Sequence, residues 1–500
     1  MTKKKYREWD PDQQFLVPPS MRDWLPEDHP VYFVLDLVGE LDISAIEEKY
    51  QAKDPRGERP YAPTMMVGLL LYGYSVGIRS SRKLEKATYE DIPFRVLCAG
   101  NHPDHTRISE FRRQHLDELE ELFLQVFQIC QRAGLVELGN LALDGTKVQA
   151  NASKHKAMSY ERMLEESERL KAEIHQILQE AETVDEAEDE RFGRDNRGDE
   201  LPDELQRRKD RLAKIEEAKA ELEKEAKQAR AEQLEENAER ARERAETHES
   251  QKERKRSATM AEKYEEEAEQ LSGQAGDEVP EATTPEGMPK HRPKTETDGT
   301  PKPKAQRNFT DPDSRILEKN GEFLQGYNGQ LVVDEAYQII VAQGLTNQSP
   351  DNGNFGPMID KAIDNAGRPP EAILADSGYW QEDAPERAEA RGTEAFIATK
   401  RQPHGKKKAT CFGVAPEGAS AIEKMSHKVR TPEGLERYAR RKAIVEPVNG
   451  QIKEVGGFRR FHLRGFDKAR KEWALVSTGH NLKKLCRAYQ AGEGNFGFLG

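Results

Sequence analysis

A mixed α/β sheet with flanking helices is the fold class the sequence predicts, preceded by an all-α N-terminal region and interrupted by a charged helical insert. Three observations predict it. Two short apolar segments, Leu141-Ala142-Leu143 and Ala372-Ile373-Leu374-Ala375, each run into an aspartate, Asp144 and Asp376. Residues 1–135 carry apolar positions at helical spacing, and from Tyr160 the composition turns abruptly to Glu, Lys, Arg, Ala and Leu.

The 500-residue chain is 35% hydrophobic and 34% charged, which excludes a collagen, a disulfide miniprotein and a membrane channel, and its length allows several domains. The net charge of −13 is unevenly placed. Residues 161–270 hold 36 acids and 23 bases, so 23 − 36 = −13 sits in one insert, and the rest of the chain is balanced. Residues 401–500 hold 21 bases and 9 acids, a local +12 that permits a polyanionic partner. Cys98, Cys130, Cys411 and Cys486 form no Cys-x-x-Cys pair, which argues against both a disulfide framework and a thiolate zinc site. No apolar run follows the basic start MTKKKYREW, and the stretch around Met65 to Tyr72 is too short to span a bilayer, so a cytoplasmic protein without a membrane partner is expected.

Along the chain, VYFVLDLVGELDISAIEEKY predicts a helix interrupted near Gly39, and Pro63 opens another. Asp104 or Thr106 can cap a long helix with Ile108, Phe111, Leu116, Leu119, Phe123 and Phe127 at helical spacing, which Gly134 closes. Arg82, Lys83, Arg107, Arg112 and Arg113 on these helices either form a solvated face or meet DNA phosphates. Asp144, at a strand end followed by a turn-forming glycine, is an ordinary turn former or a site carboxylate. Met163, Leu170, Ile174 and Leu178, then Leu205, Leu212, Ile215 and Leu222, fit a helical hairpin or coiled coil whose arms reverse within FGRDNRGDELPDEL. Residues 272–307, rich in Pro, Gly, Thr and Lys, predict a flexible linker. GEFLQGYNGQLVVDE and QIIVAQGLT then read as adjacent strands, FGPMIDKAIDNAG as a helix, and EAFIATK as a further strand after Asp376.

The basic segment RYARRKAIVEPVNGQIKEVGGFRRFHLR contains Glu446 among Arg440, Arg441, Lys442 and Lys453. On a helix Lys442, Glu446, Asn449 and Lys453 share one face, so an i, i+4 ion pair is the plain explanation, while Pro447 predicts that Glu446 caps or kinks the helix. Three carboxylates from two strand ends and a helix also match what a two-metal phosphoryl-transfer site requires, since hard Mg²⁺ ions about 3.5–4 Å apart take oxygen ligands.

LALDGTKVQANASKHK, NFTDPDSRILEKNGEFLQGYNGQLVVDE, ILADSGYW, YARRKAIVEPVNGQIK and FRRFHLRGFDKARKEWALVSTGHNLKKL, in that order, resemble the successive motifs of bacterial insertion-sequence transposases of the DDE type. RFGRDNRGDELPDELQRRKDRL resembles the turn of an insert carried by one branch of that family. The resemblance implies a ribonuclease H-like catalytic core and metal-binding catalytic acids at Asp144, Asp376 and Glu446. It places the accessory DNA-contacting positions at Tyr438, at Arg440 or Arg441, and at Lys453. The ambiguity arises because four residues, where the commonest signature has three, separate Arg441 from Glu446. The implied organisation is an α-helical DNA-binding domain at 1–135 and a core at 136–158 and 308–480. It adds an insert at 159–271, a linker at 272–307 and a C-terminal tail at 481–500.

The implied activity is Mg²⁺-dependent cleavage at element ends and strand transfer, with two ions for which Mn²⁺ can substitute. The implied partners are double-stranded DNA, as terminal repeats and target, and further copies of the chain in a dimer or larger oligomer. The alternatives are a ribonuclease H-like nuclease without transfer activity and an inactive DNA-binding descendant.

Overall fold

The computed structural model describes residues 20–52, 59–192, 203–275, 281–319, 321–400 and 410–498, with the backbone alone at 180–192, 203–204 and 319. The N-terminal region is helical: α1 (Pro30–Gly39), α2 (Ser44–Gln51), α3 (Pro63–Val76), α4 (Ser81–Glu90), α5 (Ile92–Leu97), α6 (His105–Gln114) and α7 (Leu116–Arg132). Pro63 sits at the first turn of α3, where its missing N–H would have had no partner, and Gly77 ends that helix at φ +87°. Asp104 caps α6, accepting from the backbone N–H groups of Thr106 and Arg107 at 2.8 and 3.0 Å. The stripe expected on α7 is the buried one, with Leu119, Phe123 and Phe127 all in the core.

The sheet follows as β1 (Asn140–Gln149). A short β2 (Ala157–Ser159) and β3 (Gln306–Asn308) pair antiparallel and bracket the insert helices α8 (Tyr160–Phe192), α9 (Asp203–Thr247) and α10 (Gln251–Ala275). Then come β4 (Arg315–Lys319), β5 (Glu322–Asp334), β6 (Ile340–Thr346), α11 (Phe355–Ala366), β7 (Ala372–Ala375), α12 (Ala384–Ala390), β8 (Glu394–Ile397), α13 (Ala421–Lys428), α14 (Pro432–Gly450) and α15 (Phe466–Ala491). β5 runs antiparallel to β4, β6 and β1, whereas β1, β7 and β8 lie parallel. The order is β4-β5-β1-β7-β8, with β6 also on β5. A mixed α/β sheet behind a helical N-terminal region is therefore what the chain forms.

Cross-strand partners share a face. Gly145, Gln330 and Gly344 stand on one face, which α11 covers, with the Met358 sulfur 3.0 Å from where a Cβ on Gly344 would lie. Asp144, Thr146, Gly329 and Leu331 stand on the other, beneath α14 and α15. Helix α15 touches α3 and α7 on one side and β6 on the other, so one hydrophobic core joins the N-terminal helices to the sheet. Glycine permits the approach on both sides. A Cβ at Gly329 would lie 2.8 Å from the Trp473 ring, and one at Gly479 would lie 2.8 Å from the Tyr74 backbone. The Asn481 side chain accepts from the Ile340 N–H at 2.8 Å and donates to its carbonyl at 2.9 Å, closing the β6 backbone onto α15.

Four expectations differ from the structure. The one long helix expected between Asp104 and Gly134 breaks at His115 into α6 and α7. The insert contains a third helix, α10, packed along α9. Its break at His248-Glu249-Ser250 holds neither Gly nor Pro, so nothing in the composition announced it. The expected reversal within 193–202 lies outside the described residues. The segment from 281 to 305, expected as flexible linker, forms tight turns closed by the bridges Thr283–Pro289 and Thr295–Pro301, anchored by the fully buried Met288. One anchoring residue leaves no periodic signal. Finally, α15 continues unbroken through residue 481 to Ala491 instead of yielding a separate tail, because its buried side extends as far as Ala488.

Gly329→Ala should lower the stability of the folded chain by about 1–3 kcal/mol through overpacking against Trp473. Gly39→Ala, with nothing within 4 Å of its added Cβ, should be close to neutral. Urea unfolding of the two variants beside the parent measures the difference.

Candidate functional site

Asp144 and Asp376 meet because two parallel strands deliver them. Leu143 pairs with Ala375 at the end of the β1–β7 register, so each aspartate is the next residue along its own strand. Asp376 begins a single turn, accepting from the Gly378 N–H at 2.8 Å. Asp144 is not at a strand end as expected, since β1 runs on to Gln149. Gly145 serves a different need from a turn: a Cβ there would collide with the Asp351 carboxylate, which packs against that position from the opposite face.

Helix α14 supplies the other wall. Arg441 is buried, with Nη1 3.6 Å from Asp144 Oδ1 and its guanidinium 6.0 Å from the centre of the Tyr438 ring. Asn449 donates to Asp144 Oδ2 at 3.2 Å, and Lys453 donates to the Lys147 carbonyl at 2.8 Å. Arg440 points away, bonded to Glu335 at 2.7 Å, so Arg441 is the arginine that reaches the aspartates. Pro447 does not end the helix. The Ala443 carbonyl that it leaves without an intrahelical partner accepts from Gln338 Nε2 at 3.1 Å, which keeps Glu446 inside α14 where a cap or kink was expected.

Glu446 lies on the face it shares with Asn449 and Lys453, one turn before Asn449. Its side chain is 58% exposed and its carboxylate is 3.9 Å from Lys442 Nζ, the i, i+4 pair. Among the described residues no group of three His, Cys, Asp or Glu side chains could hold a metal ion. The carboxylates whose charges interact are Asp144, Asp376 and Asp351. Burial foremost, then the charges of Asp376 and Asp351, push the Asp144 carboxyl up to about 7 against the pull of Arg441. Burial likewise raises Asp351, while its hydrogen bonds from Asn328 and Gln330, at 2.8 and 2.9 Å, act in the opposite direction. Hard oxygen donors crowded on two adjacent strands fit a divalent cation in chemical type, with Asp144 and Asp376 side by side and Glu446 turned to solvent.

Sequence reasoning missed Asp351 and Asn449. Asp351 falls in Ser349-Pro350-Asp351-Asn352-Gly353, whose composition reads as a turn, and Asn449 was noted only as sharing a face with Glu446. Of the N-terminal bases, Arg82, Lys83, Arg107 and Arg113 are exposed. Arg112 is buried instead, donating to the Arg79 carbonyl at 2.9 Å and to Tyr74 Oη at 3.4 Å. Exposed Arg82 and Arg113 line a cavity with Ser81, Thr106 and His462, where the starts of α4 and α6 face the C-terminal basic stretch. Trp473 fills the core, and Asp334 caps local backbone by accepting from Leu138 and Ala336 at 2.9 Å each.

Because the folded Asp144 carboxyl titrates near 7 and the unfolded one near 3.8, the fold favours the protonated form; that contribution is full below about pH 4 and is lost as pH rises through 7. In chelator-treated buffer Asp144→Asn should therefore be more stable than the parent at pH 8, on the order of 2 kcal/mol, with the gap closing toward pH 4. Thermal unfolding across that range measures it.

Two family models match the chain. A transposase domain (DUF772) matches residues 19–114, the helical region through α6. A transposase DDE domain matches residues 398–486, which hold α14 with Tyr438, Arg441, Glu446 and Lys453. Neither stretch includes Asp144 or Asp376. No match was found among curated proteins or among solved structures. No described helix is long and apolar enough to cross a membrane. With one transposase match over the N-terminal helices and a DDE match over α14, the chain is supported as an insertion-sequence transposase of the DDE type.

Proposed function

We propose that this DNA transposase cleaves element ends and joins them to target DNA at a site made of Asp144, Asp376 and Glu446. The observation that carries this reading is the side-by-side placement of Asp144 and Asp376 on adjacent parallel strands, with Arg441 and Asn449 of α14 bonded to Asp144. The path β6-β5-β1-β7-β8, antiparallel on one side of β1 and parallel on the other, supports a ribonuclease H-like core.

Divalent metal ions, for which Mg²⁺ is the expected identity, would be held by the three acids and would activate the attacking oxygen and offset charge on the leaving one. The chain's own residues do the rest. Arg441 and Asn449 hold the Asp144 carboxylate in orientation, and Tyr438 packs against the Arg441 guanidinium. Water attacks the phosphodiester at the element end, forming a new P–O bond as the P–O3′ bond breaks, and the 3′ oxygen leaves as a hydroxyl. That hydroxyl then attacks a target phosphodiester. The helices at 1–135 hold the element end, with Arg82, Lys83, Arg107 and Arg113 on phosphates and further contacts on base edges. The basic stretch that follows α14, with Arg459, Arg460 and Arg464 exposed, extends that surface. Copies of the chain act together on the two ends, and the insert helices make contacts between them.

Asp376→Asn should abolish cleavage of end-sequence DNA while leaving its affinity unchanged; normal cutting by that variant would refute the site. Strand transfer from precleaved ends separates a transposase from a nuclease alone. Arg113→Ala should weaken DNA binding and lower the slope of log affinity against log salt by about 1. Arg112→Ala should instead lower stability by about 1–3 kcal/mol, because it leaves the buried Arg79 carbonyl and Tyr74 hydroxyl without their donor. Filter binding at several salt concentrations and urea unfolding distinguish the two.

A further inference from the structure

A cavity of about 640 Å³ opens where α9 of the insert meets the 291–308 segment and strands β4 and β5. It lies apart from the aspartates. Gln325, on its wall, is six residues along β5 from Leu331, the partner of Asp144, a distance of roughly 20 Å.

Its lining is predominantly cationic. Lys294, Lys302 and Lys304 are exposed at its rim, and none has an ion-pair partner among the described residues. The acid on its wall, Glu225 of α9, is already shared between Arg307 at 2.8 Å and Arg315 at 3.1 Å. Leu222, Pro293, Pro303 and Ile316 supply apolar surface. Deeper in, two buried side chains keep polar atoms without partners. Gln325, 3% exposed, donates to Ser314 Oγ at 2.8 Å but leaves Oε1 unbonded, and Arg307, 6% exposed, leaves Nε unbonded.

Cations outside and apolar walls within suit one class of ligand. A phosphate would meet the lysines, and a heterocyclic base would pack on the proline and leucine surface. The volume falls in the range that small-ligand sites occupy. We propose that this cavity binds a single nucleotide, and that the charged insert exists in part to build its wall. The inference rests on the reading that the chain acts on DNA, and it adds a second, non-catalytic contact to that DNA.

The test uses the full chain and a fluorescent oligothymidylate carrying one bromodeoxyuridine. The double variant Lys302→Glu/Lys304→Glu, altered at exposed positions and checked for an unchanged melting curve, should bind the strand roughly tenfold more weakly. Lys252→Glu/Lys255→Glu, the same charge change on α10, should stay within about twofold of the parent. Photocrosslinks should map to residues 291–308 in the parent and vanish in the pocket variant. Competition by free deoxythymidine monophosphate would assign the cavity to a free nucleotide as well, and its failure to compete would assign the cavity to the strand; both support the site. Equal weakening in the two double variants, or crosslinks elsewhere, would overturn it while leaving the catalytic proposal standing. A parent that binds no strand at all would likewise overturn the cavity, whereas failure to cleave duplex end-sequence DNA would overturn the catalytic proposal.

Discussion

Helix α15 is the constraint on which the remaining architecture depends. It is buried along its length, and it approaches both neighbours at positions where only glycine fits: Gly329 beneath Trp473 and Gly479 against Tyr74. Those contacts fix the distance from the N-terminal helices to the sheet. The bonds between Asn481 and the Ile340 backbone fix the height of α15 along β6. Because β5 carries both β6 and β1, the position of β1, and with it Asp144, follows from how α15 seats. A helix that does not touch Asp144 thereby sets where the strand carrying Asp144 lies.

The site itself balances two demands. Asp144 keeps part of its carboxylate exposed yet stands beside two other carboxylates, and Arg441 and Asn449 are the groups that make this tolerable. Asp351 packs from the far face against Gly145, so the carboxylate pair on one face is braced through the strand from the other. Glu446, on the helical face it shares with Asn449, is turned to solvent beside Lys442.

Much of this was legible in the sequence, and the reasons are physical. Asp144 and Asp376 each end an apolar run, a pattern that survives without knowledge of tertiary contacts, and α7 and β5 carry the plain periodicities of a helix and a strand. What escaped notice has no periodic signature. Asp351 sits in a stretch of turn formers, Met288 is a lone large aliphatic side chain in a segment of mostly Pro, Thr, Lys and Glu, and α10 begins after a break without Gly or Pro. Charge alone could not say which arginines face water, and Arg112, next to exposed Arg113, proved to be interior. Pro447 misled for a related reason: the partner that rescues the Ala443 carbonyl, Gln338, lies 105 residues away in sequence.

The pairing of β1 with β7 joins Asp144 to Asp376 across 376 − 144 = 232 residues, most of them in the insert and the turns after it. At about 5–20 residues per second of synthesis, β1 waits some 10–50 s for its parallel neighbour. The insert helices, built from contacts close in sequence, can form in that interval, while α15 emerges after every strand of the sheet and only then closes the core. A ribosome-bound chain that has not yet released α15 therefore carries its N-terminal helices and its sheet without the helix that joins them.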